Sequence, residues 1–105
     1  MSEIEMTKAA ADVLAERRRQ IETEGWTPEH DDRHNAGEMA LAASCYAQEG
    51  PDPYGHGWPT IPSAWPWSPD WWKPQGYRRN LVKAAALILA EIERLDRSAA
   101  SESQP

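Results

Sequence analysis

Leu81-Val82-Lys83-Ala84-Ala85-Ala86-Leu87-Ile88-Leu89-Ala90-Glu91-Ile92-Glu93-Arg94-Leu95 decides the fold. Leu81, Ala84, Ala85, Ile88, Ile92 and Leu95 share one side of a helical repeat, while Val82, Ala86 and Leu89 form a second stripe. A helix with two apolar stripes has to be covered on more than one side. This stretch therefore predicts the central helix of an all-α domain, ending near Arg97. Ser98 to Pro105 is small and polar and reads as a disordered tail.

Working back toward the N-terminus, seven of the nine prolines and five of the six tryptophans fall between Pro51 and Pro74. Proline lacks a backbone donor and fixes φ, so this tract is neither an interior helix nor a central strand. Disordered tracts are poor in aromatics and large indoles seek burial, which predicts an ordered loop folded onto the helices beside it. That loop spans about residues 50–77 and holds Trp58, Trp65, Trp67, Trp71 and Trp72.

Two further helices precede it. From Ile4 to Glu24, Met6, Ala10, Val13, Leu14 and Ile21 recur at helical spacing, and Gly25 marks the stop. Arg17, Arg18 and Arg19 lie among Glu16, Glu22 and Glu24 and read as a solvated face laced with ion pairs, with a phosphate-facing role as the alternative. Thr27-Pro28-Glu29 suits a helix start, as do Asp31 or Asp32 as caps, and Ala36, Met39, Ala40, Leu41, Ala43 and Ala47 continue it to Gly50 with a small-residue face. The expectation is a compact three-helix to four-helix bundle, a single domain over residues 1–97 with a tail over 98–105.

Composition narrows the function classes. Eleven Lys plus Arg against 17 Asp plus Glu give a net charge of -6, which disfavours a duplex nucleic-acid binder. The lone Cys45 cannot form an internal disulfide and sits in an alanine-rich run, as a small buried hydrophobe would. No apolar run reaches the ~18 residues of a membrane span, and the charged N-terminus lacks signal-peptide architecture. These features predict a cytoplasmic protein that does not engage membranes.

The densest polar cluster runs from Gly25-Trp26-Thr27 through Glu29-His30-Asp31-Asp32-Arg33-His34 to Glu38. In one continuous helix, His30, His34 and Glu38 would line a single face, a spacing that suits a transition metal. Asp31, Asp32 and Glu38 could alternatively take magnesium beside a phosphate. A purely structural helix start, with an aspartate cap and a His34–carboxylate pair, accounts for the same residues. Trp26, Trp65, Trp67, Trp71 and Trp72 offer stacking faces, and Lys73, Arg78 and Arg79 offer cations, which together are the parts of a nucleotide pocket. Completing a core that contains no phenylalanine is the competing reading for each indole. Tyr46, Tyr54, Tyr77 and His56 are further candidates for the same lining. Ser44 and Ser63 have no neighbouring base, and no glycine-rich phosphate loop occurs.

The run Glu24-Gly25-Trp26-Thr27-Pro28-Glu29-His30-Asp31-Asp32-Arg33-His34, with Trp65-Pro66-Trp67, Trp71-Trp72-Lys73-Pro74 and Arg78-Arg79-Asn80 through Leu95, resembles a family of small helical proteins encoded by phages and prophages. The likeness covers about residues 14–97 and implies a viral accessory role in a bacterial host cell, without a reaction. Glu24-Gly25-Trp26-Thr27 followed by Asp31, Asp32 and His34 is similar to the ryanodine-receptor repeat domain over about ten residues, which implies nucleotide-like ligands. In that domain a tyrosine and glycine follow the threonine, where this chain has Pro28 and Glu29. Glu93 and Asp96, with Glu22, Glu24 and Glu38, resemble a fragment of the magnesium site of all-α nucleotide pyrophosphohydrolases, though the doubled glutamate of that family is missing.

The reading these features favour is a protein that binds a nucleotide or nucleotide-derived signal without turning it over and sequesters a host anti-phage defence messenger. The alternatives are a magnesium-dependent pyrophosphohydrolase and an inhibitor that binds a host protein. The second apolar face of the last helix also leaves room for a homo-oligomer.

Overall fold

The computed structural model describes residues 5–49 and 61–102. Among the described residues four α-helices run in the order α1 (Lys8–Glu22), α2 (Pro28–Asp31), α3 (Glu38–Gln48) and α4 (Tyr77–Glu102), with a 3₁₀ turn, Pro69–Trp71, in the connection before α4. The all-α expectation holds. Trp58, Tyr54 and His56 lie outside the described residues, as do Ile4 and the last three residues of the expected tail.

Each boundary has a local cause. The Thr7 hydroxyl accepts from the Ala10 N–H at 3.1 Å and caps α1, three residues beyond the expected start. At the other end Gly25 takes a left-handed φ of 79° and turns the chain so that the Trp26 N–H donates back to the Gln20 carbonyl at 2.9 Å. Thr27 caps α2 as expected, its hydroxyl accepting from the His30 N–H, with Pro28 in the first turn.

The single second helix expected from Thr27 to Gly50 is instead two. α2 ends after one turn at Asp31, and Gly37, with φ 84° outside the helical region, is the point from which α3 starts afresh. Glu38 Oε1 accepts from the Ala36 N–H at 2.7 Å and satisfies a donor at this new start. The expected tail is also corrected, because α4 continues past Ser98 to Glu102. Ala99 and Ala100 are strong helix formers, and neither glycine nor proline interrupts before Pro105.

α4 is central, packing against α1, α2 and α3. Ala42, Ala43, Cys45 and Tyr46 of α3 form the core with Ala84 and Leu87 of α4, because small side chains let the two helices approach closely. Trp65 from the loop completes this cluster, and Trp26, Trp67 and Trp72 pack against it. Of the two stripes on α4, Val82 and Ala86 are buried, whereas Leu81, Ile88, Ile92 and Leu95 are exposed.

α1 departs most from expectation. Met6 and Leu14 are exposed, and the helix turns Glu16, Arg17 and Gln20 inward. Arg17 is not on a solvated face. Its guanidinium donates to Asp31 at 3.0 Å, to Glu93 at 3.0 Å and to the Trp26 carbonyl at 3.4 Å, so α1, α2 and α4 meet on one cation. Glu16 accepts from Arg19, Gln20 and Arg79.

The described part of the loop is held by specific bonds. The Tyr46 hydroxyl donates to the Trp71 carbonyl at 3.4 Å and accepts from the Lys73 N–H at 3.2 Å. Asn80 and Gln75 exchange two hydrogen bonds, at 2.7 and 2.9 Å, which fasten the chain to the start of α4.

Candidate functional site

A cavity of about 240 Å³ opens between the α2 region and the loop, lined by Trp26, His30, His34, Trp67, Ser68 and Trp71. Its construction follows from the turns around it. Gly25 delivers Trp26 to the foot of α1, and the one-turn α2 with its following turn presents His30 and His34. Ser68 caps the 3₁₀ turn, accepting from the Asp70 N–H, and so places Trp67 and Trp71 on either side of itself.

The rings are in mutual contact. Trp26 lies with its ring centroid 5.6 Å from that of Trp67 and 6.0 Å from that of Trp71. His34 is 5.2 Å from Trp67 and 4.8 Å from His30. Such tilted and edge-on spacings are the favoured arrangements of aromatic rings.

Polar groups orient the imidazoles. The backbone N–H groups of Glu38 and Ala36 hold the Glu38 carboxyl below its ordinary pKa, so it is an acceptor at neutral pH. It meets His34 Nδ1 at 3.3 Å, so that Nδ1 is the ring nitrogen turned to the carboxyl, and Nε2 has no partner among the described residues. His30 Nδ1 is buried and stands 3.7 Å from Asp31 Oδ1, too far for a hydrogen bond. Trp67 Nε1 is likewise buried without a partner. Unpaired buried polar groups are costly, at ~1–3 kcal/mol each, and two of them belong to residues that line this cavity.

The expected site residues separate into two groups. Trp26, His30, His34, Trp67 and Trp71 come together as the lining, and Glu38 stands behind His34. The others have different positions. Trp65 and Trp72 belong to the core around Tyr46, Trp72 stacked on its ring at 4.7 Å and Trp65 edge-on at 5.6 Å. Tyr46 is therefore a core residue and not part of the lining, and Tyr77 is exposed. Asp31 is buried against Arg17, where burial raises its pKa against the pull of the guanidinium. Asp32 pairs with Arg97 at 2.8 Å.

Arg78 and Arg79 do not reach the cavity as phosphate ligands. Arg78 pairs with Asp12 at 2.9 Å and Arg79 with Glu16, because the first turn of α4 runs beside α1. The continuous His30–His34–Glu38 face dissolves with the break at Gly37, although the three side chains still lie in sequence through the two imidazoles. Among the described residues no group of three or more His, Cys, Asp and Glu side chains is placed to hold a metal ion. Glu24 and Glu93 are engaged by Arg19 and Arg17.

Ser68 is the lining residue that sequence reasoning passed over. The signal for it was its place before Pro69-Asp70, the pattern of a capped turn. No described helix is long and apolar enough to cross a membrane. Comparison of the chain with known protein families, with curated proteins and with solved structures returns no match.

Proposed function

We propose that this protein binds a nucleotide or nucleotide-derived signalling molecule, taking its base between the tryptophans of the loop and Trp26, and retains it without converting it. The observation that carries this reading is the lining itself: three indoles and two imidazoles around a cavity of about 240 Å³. That volume suits a flat heterocycle and is below the ~300–1,000 Å³ of pockets that enclose whole drug-sized ligands. Indoles stack on any planar base, and the His34 ring brings a second hydrogen-bonding nitrogen, Nε2, for the polar edge of that base.

Retention without turnover fits the chemistry of the lining, in which Ser68 stands exposed with its hydroxyl accepting from its own turn. A proline-stiffened wall loses little freedom on closing around a guest, which favours tight holding. The resemblance to phage and prophage proteins supports a role in withholding a host defence messenger.

Native mass spectrometry of the purified protein, followed by release of small molecules on heating, tests the reading. Recovery of an intact base-containing compound supports it. Recovery of none, together with no fluorescence change of the tryptophans on titration with a panel of nucleosides and nucleotides, overturns it. Pyrophosphate release with magnesium, abolished by Glu38→Ala, would replace it with the hydrolase reading.

Self-association of two copies through α4 belongs to the same proposal. Leu81, Ala85, Ile88, Ile92 and Leu95 alternate steps of four and three, the spacing of a coiled-coil seam, and the four larger ones are exposed.

A further inference from the structure

We propose that the cleft lined by Lys73, Arg79 and Lys83, behind the Trp26–Trp71 wall of the aromatic cavity, is an anion site for the phosphate of a phosphate monoester. The inference rests on the base-binding reading for its biological meaning, but its geometry is independent of it.

The cleft measures about 430 Å³ and is lined by Arg19, Glu24, Lys73, Gln75, Arg79 and Lys83, with Pro74 at its edge. Four cations face one carboxylate there, and Glu16 beneath them adds a second. A local excess of positive charge in a chain of net charge -6 is a departure that an anion would offset.

The cations differ in how much hydrogen-bonding capacity they have left. Arg19 spends Nε and Nη2 on Glu16 and Nη1 on Glu24. Arg79 gives only Nη2 to Glu16, and its Nε and Nη1 have no partner among the described residues. Lys73 meets Glu24 at a long 3.4 Å, and Lys83 gives one N–H to the Lys73 carbonyl at 2.6 Å. Two ammonium groups and one guanidinium, each with donors to spare, line this one cleft, and a phosphate has oxygens enough to accept from all three.

The cleft adjoins the aromatic cavity. A void of about 10 Å³ shares Arg19, Glu24, Lys73 and Lys83 with the cleft and Trp26 and Trp71 with the cavity. Lys73 Nζ stands 5.5 Å from the centroid of the Trp71 ring, so one indole has the cavity and a cation as neighbours. Gln20 Oε1, buried in the lining of that void, has no partner in the protein.

Burial of Lys83 among these groups pushes its pKa down to about 8, with Arg79 and Arg19 adding repulsion and Glu16 and Glu24 opposing it. An anion in the cleft stabilises the ammonium form, so binding moves that value upward.

Calorimetric titration of the full chain with inorganic phosphate and, separately, with unphosphorylated adenosine, each at constant ionic strength set with chloride, tests the proposal. Phosphate binding that Lys83→Gln weakens by about tenfold or more, with adenosine affinity held within about twofold, is the expected result. Phosphate that binds no better than chloride, or equally well to Lys83→Gln, overturns the cleft. Adenosine that fails to bind while phosphate succeeds overturns the base pocket and leaves the cleft standing. Should Lys83→Gln fail to fold, the Lys83 side-chain NMR titration of the unsubstituted protein decides: an upward move with phosphate supports the site, and an unmoved value overturns it.

Discussion

The indole of Trp67 and the imidazole of His34 sit 5.2 Å apart, centroid to centroid, joining the loop to the turn that links α2 and α3. Trp67→Ala removes one wall of the cavity together with this bridge. Base–aromatic stacking is worth ~1–3 kcal/mol, so affinity for any base-containing ligand should fall by about 5-fold to 150-fold. Fluorescence or calorimetric titration with the compound recovered from the native protein provides the check.

Arg17 and Asp31 form an ion pair that is almost wholly buried. Truncating one member strands the other, and Arg17→Met should cost about 3–5 kcal/mol in urea denaturation. The double change Arg17→Met with Asp31→Leu should recover part of that loss, with Glu93 left exposed enough to find water.

Burial alone would raise the pKa of Glu16, but Arg19 and Arg79 hold it below its ordinary 4.5. A carboxyl whose folded pKa is depressed contributes stability that is fully present above 4.5 and is lost as pH falls through the lower folded value. Thermal melts in the acid range should therefore show a fall below about pH 4.5 that is shallower in Glu16→Gln, a variant already less stable at pH 7.

Gly37→Ala tests the break between α2 and α3. Nothing lies within 4 Å of an added Cβ, so the cost is that of the left-handed backbone alone, about 1–2 kcal/mol in chemical denaturation. No loss would mean that the break tolerates another conformation.

Ile88→Glu places a charge in the middle of the exposed stripe on α4. Sedimentation velocity should show the unsubstituted chain as a concentration-dependent dimer and the variant as a monomer, with the monomer's thermal stability changed by less than about 0.5 kcal/mol, as for a surface site.

The fold was legible where apolar spacing or aromatic density spoke for it. α4 announced itself by two stripes, Leu81, Ala84, Ala85, Ile88, Ile92 and Leu95 and then Val82, Ala86 and Leu89, although the larger members of the first stay exposed, and the loop announced itself by indoles costly to leave in water. The buried polar face of α1 was not legible, because Glu16, Arg17 and Gln20 have the composition of a solvated surface, and the partners that bury them, Arg79, Asp31 and Glu93, come from other elements. Gly37 hid in an alanine-rich run, since a glycine in a helix and one that ends it look alike in sequence. Within the site, Trp26, His30, His34, Trp67 and Trp71 could be read from residue type, whereas Arg78 and Arg79 could not be placed. Their carboxylates, Asp12 and Glu16, lie more than sixty residues earlier.

Arg17 ties Asp31, the Trp26 carbonyl and Glu93 to one guanidinium, so the His30 side of the cavity yields only when the bundle itself yields. For the proposed occupant, passage then falls to the opposite jamb, where the Trp71 carbonyl accepts from the Tyr46 hydroxyl at 3.4 Å and the Trp71 N–H donates to the Ser68 carbonyl at 3.0 Å. Tyr46→Phe removes the longer of these two tethers and should quicken release of a bound base without touching any surface the occupant meets.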